Sequence, residues 1–132
     1  MLRGCPPSSD RVSGLAGIRN IPGARGGSTT WTDGSGNFWL FGGIGYDVND
    51  TSGELNDLWK FDPATGAWTW EEGSNTYGAS GTYGTLGTAA AGNIPGARVG
   101  SATWTDGSGN VWLFGGVGYG GSEMDPNSWT VA

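Results

Sequence analysis

Short apolar runs alternate with glycine-rich polar turns along the chain. The run FWLF at residues 38–41 is apolar at every position, and it is flanked by DGSGN at residues 33–37 and by a glycine pair at residues 42–43. A short strand without polar positions is typical of one that is buried on both faces. Gly, Asp and Asn are the residues that tight hairpin turns require. The pattern therefore predicts a hairpin with residues 26–32 as its first strand and residues 38–41 as its second.

The same alternation predicts two more strands after a loop at residues 44–54. Residues 55–61, LNDLWKF, and residues 67–71, AWTWE, are rich in aromatic side chains, and the turn DPATG at residues 62–66 separates them. Pro fixes φ in such a turn and Gly permits the reversal. The first strand carries small side chains and the last two carry large ones, so the four-stranded sheet is wedge-shaped. Wedge-shaped sheets can surround an axis as a β-propeller, and a β-sandwich is the alternative.

The first hairpin occurs twice in the chain. Residues 20–46 return 73 positions later as residues 93–119, and 23 of the 27 aligned positions are identical. Such self-similarity indicates a structural unit that has been copied. Beyond residue 119 nothing matches LNDLWKF, and MDPNSWT at residues 124–130 is similar to the segment that leads into the fourth strand. The second copy is therefore predicted to lack its third strand and to keep only a stub of its fourth.

These patterns divide the chain into four segments. Residues 1–19 show no period of 2 or 3.6, and we predict a flexible leader there. Residues 20–72 form a complete first repeat, and residues 93–132 form an incomplete second repeat. Between them, residues 73–92 are rich in Gly, Ala and Thr, and we predict a long loop.

Composition excludes several classes of function. The chain has 12 acidic and 6 basic residues and no His, which gives a net charge of −6. An acidic surface argues against nucleic-acid binding, because that requires a basic face. Without His, the chain lacks the usual general base, and its single Cys5 cannot supply a zinc site. No apolar run of 18 residues predicts a membrane span, and no apolar segment near the start predicts a signal peptide.

An oxygen-rich run at residues 47–54, DVNDTSGE, is the candidate metal site. Its spacing differs from that of an EF-hand loop, and the second copy has Gly and Ser at the same place. We therefore interpret the run as a solvated turn and predict no metal and no cofactor, with Ca²⁺ binding as the alternative. The side chains concerned are Asp47, Asn49, Asp50, Thr51 and Glu54.

The remaining charged residues are predicted to be structural. Arg25 and Arg98 precede the first strand of each copy, and we expect them to pair with carboxylates such as Asp57 or Asp62, or to donate to backbone carbonyls. The two Glu at residues 71–72 are neighbours on a strand and point to opposite faces, so they do not form an acid and base pair. No catalytic residue follows from the sequence, and we predict that the protein is not an enzyme.

A series of characteristic residues runs through the first copy, and part of it returns in the same order in the second. In the first copy they are Arg25, Phe41-Gly42-Gly43, Trp59, Asp62-Pro63, Gly66 and Trp68. In the second copy they are Arg98 and Phe114-Gly115-Gly116, with Asp125-Pro126 and Trp129 as remnants. Over about residues 20–130 this order resembles the Kelch repeat in its glycine-rich bacterial form. The resemblance implies an all-β fold, a Kelch-type β-propeller fragment with one complete four-stranded blade and an incomplete second blade.

The resemblance also implies a role. Kelch propellers usually serve as binding platforms, so we expect a non-catalytic protein-interaction or scaffold module that is a fragment of a longer propeller. Its partners would be proteins or further Kelch blades of the same or other chains. The alternative is a carbohydrate-binding fragment that stacks its loop aromatics on sugar rings. The candidate contact residues are Tyr46, Tyr77, Tyr83 and Tyr119, and two of them, Tyr77 and Tyr83, are also expected to pin the long loop.

Two further expectations concern stability and location. Repeat folds generally need three or more units, so the chain alone is expected to be marginally stable. The sequence itself does not indicate a compartment, and the resemblance favours the bacterial cell surface or the extracellular space.

Overall fold

The computed structural model describes residues 20–121 and the backbone of two short strands, Ala16–Gly17 and Met124–Asp125. This part of the chain is all β, as predicted. Its strands in chain order are β1 (Ala16–Gly17), β2 (Arg25–Gly26), β3 (Thr29–Thr32), β4 (Phe38–Tyr46), β5 (Ser52–Asp62), β6 (Ala67–Glu72), β7 (Arg98–Val99), β8 (Ala102–Thr105), β9 (Val111–Phe114), β10 (Val117–Tyr119) and β11 (Met124–Asp125). Within the described residues, no helix is long and apolar enough to cross a membrane.

The first repeat forms an antiparallel sheet in the order β1-β6-β5-β4-β2, and β3 also pairs with β4. The hairpins predicted around residues 33–37 and 62–66 are present. The loop predicted at residues 44–54 is wrong, because β4 runs on to Tyr46 and pairs with β5 from Ser52. Only residues 47–51 turn the chain. The two central strands of the sheet are therefore longer than the sequence pattern indicated.

The glycine pair explains this difference. The register between β4 and β5 shifts between Phe41 and Gly43, so the pair forms a β-bulge within the strand and does not end it. Gly43 has φ 94°, and a Cβ there would lie 2.7 Å from the carbonyl oxygen of Gly26. Only glycine fits at this position. The opposing chain is interrupted at the same level, where β2 ends at Gly26 and β3 begins at Thr29.

Aromatic side chains form cross-strand pairs on both faces of the first sheet. Trp31 stacks on Trp39 with ring centroids 5.9 Å apart. On the other face, Phe61 lies between Phe38 and Trp68. Such pairs add to the stability that burial alone provides. The double burial predicted for residues 38–41 holds at Phe41, which is 6% exposed, but Phe38 lies at the end of the sheet and is exposed.

The second repeat contains a separate hairpin, β8 with β9, and a small sheet in the order β11-β10-β7. Tyr119 pairs with Met124, just as Tyr46 pairs with Ser52 in the first repeat. Strand β11 therefore takes the position where the third strand begins. The prediction that the second copy lacks its third strand is therefore wrong for the start of that strand, because similarity to the Asp-Pro turn did not reveal this pairing. The predicted stub of the fourth strand lies further along the chain, in residues that the structure does not describe. Residues 126–132, including the remnants Pro126 and Trp129, lie outside the described residues.

The two flanking segments differ from the simplest expectation. Of the predicted leader, residues 1–15 and 18–19 lie outside the described residues, but the backbone of Ala16–Gly17 pairs with Trp68 and Thr69 of β6. The first sheet therefore includes two residues of that segment. Residues 73–92 contain no strand, although Thr82 forms an isolated bridge with Ile94.

Candidate functional site

The four predicted contact residues lie along the edge where β4 turns into β5 and where residues 75–82 cross to the second repeat. Three of their rings are well exposed: Tyr46 at 52%, Tyr77 at 47% and Tyr83 at 43%. Tyr119 is partly buried, and its hydroxyl would lie 3.2 Å from a Cβ at Gly78. We call these four residues the tyrosine rim.

Backbone hydrogen bonds fix the crossing segment to both repeats. On the first repeat, Val48 donates to the carbonyl of Asn75 over 3.0 Å, and Gly78 donates to that of Glu54 over 2.8 Å. On the second, Gly81 donates to the carbonyl of Gly120 over 2.8 Å. The segment that carries Tyr77 is therefore attached at both ends.

Asp47 organises the first half of the rim. This buried carboxylate accepts hydrogen bonds from the backbone N–H groups of Asn49 at 2.8 Å, Thr51 at 3.0 Å and Tyr77 at 3.2 Å. The side chain thus closes the turn and ties it to the crossing segment. The ring of Tyr77 packs on Gly53, where a Cβ would lie 2.6 Å from it.

The oxygen-rich run is organised by Asp47 alone. Asn49, Asp50 and Thr51 are exposed, whereas both oxygens of Asp47 accept backbone hydrogen bonds. Among the residues that the structure describes, no group of three or more His, Cys, Asp or Glu side chains could hold a metal ion. The geometry gives this run a role in shaping the turn.

Arg25 forms the structural contacts predicted for it. Its guanidinium binds both carboxylate oxygens of Asp57, with Nη2 to Oδ2 at 2.8 Å, and both side chains are almost fully buried. Arg25 also donates to the carbonyls of Gly23 at 3.0 Å and Gly42 at 3.2 Å. The indole of Trp59 donates to Asp57 over 2.7 Å. Arg25 thus links the start of the repeat to the bulge and to β5.

Arg98 repeats this arrangement and connects it to the rim. It donates to the carbonyls of Gly96 at 2.9 Å and Gly115 at 3.0 Å, which are the counterparts of Gly23 and Gly42. Its Nη2 donates over 3.1 Å to the hydroxyl of Tyr83.

The same hydroxyl anchors the ring of Tyr83. It also accepts the backbone N–H of Gly96 at 3.2 Å. The hydroxyl of Tyr83 is therefore occupied while its ring stays exposed. This is the pinning predicted for Tyr83.

The opposite edge of the molecule carries two matching turns. Asp33 accepts hydrogen bonds from the backbone of Ser35 and Asn37, the side chain of Asn37 and the indole of Trp39, the last at 2.8 Å. The Trp39 indole and the Asn37 amide hold the pKa of the Asp33 carboxyl well below its usual range, because they stabilise its charged form. The carboxylate therefore orients a tryptophan in addition to forming the turn.

The second repeat has the same network around Asp106. Its carboxylate accepts from the backbone of Ser108, from the backbone and side chain of Asn110, and from the Trp112 indole at 2.9 Å. The Asn110 amide and the Trp112 indole hold the pKa of Asp106 well below its usual range. Sequence reasoning identified both aspartates as turn residues but missed the tryptophan contact. The repeated spacing of Asp, Asn and Trp was the signal that could have revealed it.

A scan against protein-family models found no match, and searches of curated proteins and of solved structures found none either. The comparison that informs the site is therefore internal. Both repeats hold an arginine against the same two carbonyls and an aspartate against the same tryptophan.

Proposed function

We propose that the chain is a non-catalytic protein-interaction or scaffold module built from Kelch-type repeats, with the tyrosine rim as its contact surface. The observation that carries this proposal is that exposed tyrosine rings stand on a backbone fixed by buried charged groups, Asp47 and Arg98. Tyrosine provides a large contact area at a low cost in conformational entropy. A rigid support lowers that cost further.

Features of the repeats support the propeller assignment. Each repeat begins with small side chains, carries a buried arginine and has a pair of positive-φ glycines after its Trp-Leu-Phe run. The first strands of the two repeats lie side by side. Strands with small side chains are what the crowded centre of a propeller needs.

The rim can be tested with a library of displayed random peptides selected on the wild-type chain. Peptides that bind should lose at least about tenfold in affinity for the variant Tyr46→Ser/Tyr77→Ser, because exposed aromatic anchors dominate such interfaces. Leu86→Ser is the matched control, since Leu86 is 98% exposed and is not one of the four rim residues. Binders that are all indifferent to the double variant would contradict the rim as the contact surface.

Carbohydrate binding is the second candidate, and the exposed rings favour it. Planar aromatic faces can stack on pyranose rings, and the rim offers three well-exposed ones. A glycan array probed with the wild type and the same two variants separates the candidates. Saturable binding to one glycan class that the rim variant loses, together with no selected peptide, would replace the protein-binding proposal.

A further inference from the structure

We propose that a second copy of this chain docks head to tail on the second repeat and reuses the junction that joins the two repeats within one chain. This inference deepens the proposed interaction role by naming one partner. It concerns a different surface from the tyrosine rim, so the two can fail separately.

The junction within the chain has two distinct sides. Strand β7 of the second repeat lies against β4 and β5 of the first, and β8 lies beside β3. The backbone N–H of Gly100 donates to the carbonyl of Gly27 over 3.0 Å, and Asn56 Nδ2 donates to the carbonyl of Pro95 over 3.2 Å. We call residues 95–100 the leading side and the surface that receives them, around Gly27 and Asn56, the trailing side.

One close contact defines the fit. A methyl carbon of Val99, Cγ2, occupies the space that a Cβ of Gly27 would need. Nearby, a Cβ at Gly42 would lie 2.8 Å from the carbonyl oxygen of Arg98. The trailing side therefore depends on glycines that let the leading side approach closely.

Because residues 20–46 and 93–119 are nearly identical, the leading side occurs twice, and so does the part of the trailing side around Gly27, whereas Asn56 has no counterpart in the second copy. The leading side of the first repeat, residues 22–26, lies outside these junction contacts, and so does the carbonyl of Gly100, the counterpart of the Gly27 acceptor. Gly26 and Gly100 are exposed, and a Cβ on either would meet nothing within 4 Å.

Burial differs between the repeats in the way that such a junction predicts. On the trailing side, Phe41 is 6% exposed whereas its counterpart Phe114 is 41% exposed. On the leading side the order is reversed. Ala97 is fully buried and Ala24 is exposed. Neighbouring strands and the 73–92 segment contribute to this cover, since Ala97 also donates to the carbonyl of Ala79.

The sheet face of the second repeat that carries Phe114 also carries Trp112 and its cross-strand partner Trp104, and this face has the character of an interface. Trp104 and Trp112 stand with parallel rings 6.3 Å apart and are 48% and 37% exposed. Their counterparts Trp31 and Trp39 are better covered. Residues 107–121 contain no charged residue and no proline. Charged residues and proline are what usually prevents another chain from pairing with an exposed sheet edge. Exposed aromatic surface of this kind marks a binding site.

A second copy suits this surface because it carries the leading side that already fits the first repeat. The fit between chains would be weaker than the fit within a chain, because residue 26 is Gly where residue 99 is Val. The contact would join unlike surfaces, so it can continue from chain to chain as a ring or a filament. We therefore expect weak association that increases with concentration.

Sedimentation velocity over a range of concentrations tests the proposal. The average mass of the wild type should rise with concentration. Gly26→Val should tighten the association about fivefold, because it restores the methyl groups that Val99 supplies within the chain. Gly26→Arg and Trp104→Lys should each weaken it at least about tenfold. Leu86→Lys, an equally drastic change at an exposed site, should leave it unchanged.

Mixing two variants tests the head-to-tail direction. The Trp104→Lys chain keeps an intact leading side, and the Gly26→Arg chain keeps an intact trailing side. Neither should associate alone, but together they should form a one-to-one dimer that does not grow. Circular dichroism of each variant checks its fold, and the Gly26 variants remain informative if Trp104→Lys unfolds.

Two outcomes would overturn the proposal. One is a wild type that stays monomeric up to about 1 mM, which corresponds to an association too weak to matter. The other is a dimer that Gly26→Val does not tighten and that mixing does not restore. Peptides selected on the tyrosine rim should bind Trp104→Lys as they bind the wild type, so a failure of one proposal is distinguishable from a failure of the other.

Discussion

The two repeats share almost the same hairpin sequence, and yet they bury it differently. In the first repeat, β4 lies between β3 and β5, and β6 extends the sheet further. In the second, β9 pairs with β8, and the described part of the chain places only the two-residue strands β7 and β11 beside β10. Phe41 is buried and Phe114 is exposed although both follow Trp-Leu. Burial in this protein is therefore set by the neighbouring strands and not by the hairpin itself.

The largest expected effect breaks the arginine network of the first repeat. Asp57→Ala leaves the guanidinium of Arg25 buried without its carboxylate, and losing one partner of a buried pair costs about 3–5 kcal/mol. It also removes the acceptor of the Trp59 indole. Urea unfolding followed by tryptophan fluorescence measures the loss. A change below about 1 kcal/mol would mean that the two Gly carbonyls alone satisfy Arg25.

The next largest effect is expected at Phe41, which occupies the same position in the first repeat as Phe114 in the second. Phe41→Ala removes a buried ring and should lower the free energy of unfolding by about 3 kcal/mol. Phe114→Ala removes a ring that is 41% exposed, and the expected loss is about 1 kcal/mol. Equal losses in urea unfolding would show that the second repeat is as well covered in solution as the first.

Much of the structure that the two repeats share could be predicted from the sequence, because it depends on residues that are close together in the chain. The turns at residues 33–37 and 106–110 depend on residues within a few positions of one another. The duplicated sequence revealed both hairpins, and their arginines were expected to make structural contacts. Asp57 was one of the two carboxylates, with Asp62, that were named as possible partners of these arginines.

The remainder depends on pairing between distant segments. Gly42-Gly43 reads equally well as the end of a strand or as a bulge, and only the pairing of Ile44 with Glu54 decides for the bulge. The position of β11 follows from its register with β10, which similarity of sequence did not indicate. The junction between the repeats could not be predicted from the sequence either, because the contact of Val99 with Gly27 joins residues 72 positions apart.

A smaller effect is expected where the second repeat meets the rim. Tyr83→Phe keeps the ring but removes the acceptor used by Arg98 and by the backbone of Gly96. The expected loss of stability is about 1–2 kcal/mol. Tyr46→Phe, at an exposed ring, should change stability by no more than about 0.5 kcal/mol. If the two variants unfold at the same urea concentration, the hydroxyl of Tyr83 does not anchor the rim.

The smallest expected effect concerns the aspartate turn, a feature that both repeats share. Hydrogen bonds lower the pKa of both Asp33 and Asp106 in the folded state, below the value of about 3.9 expected for an unfolded chain. Each carboxylate therefore contributes stability that is fully present above about pH 5 and is lost as the pH falls through the folded pKa.

In the wild type, the urea concentration at the unfolding midpoint should consequently decrease as the pH is lowered from 6 to 3. Asp33→Asn and Asp106→Asn should each flatten that dependence, and Leu86→Ser should not. The two aspartate variants should flatten it equally, because each turn is closed by its own residues and depends on no neighbouring strand. A flattening by Asp33→Asn alone would show that even this local turn needs the cover that only the first repeat has.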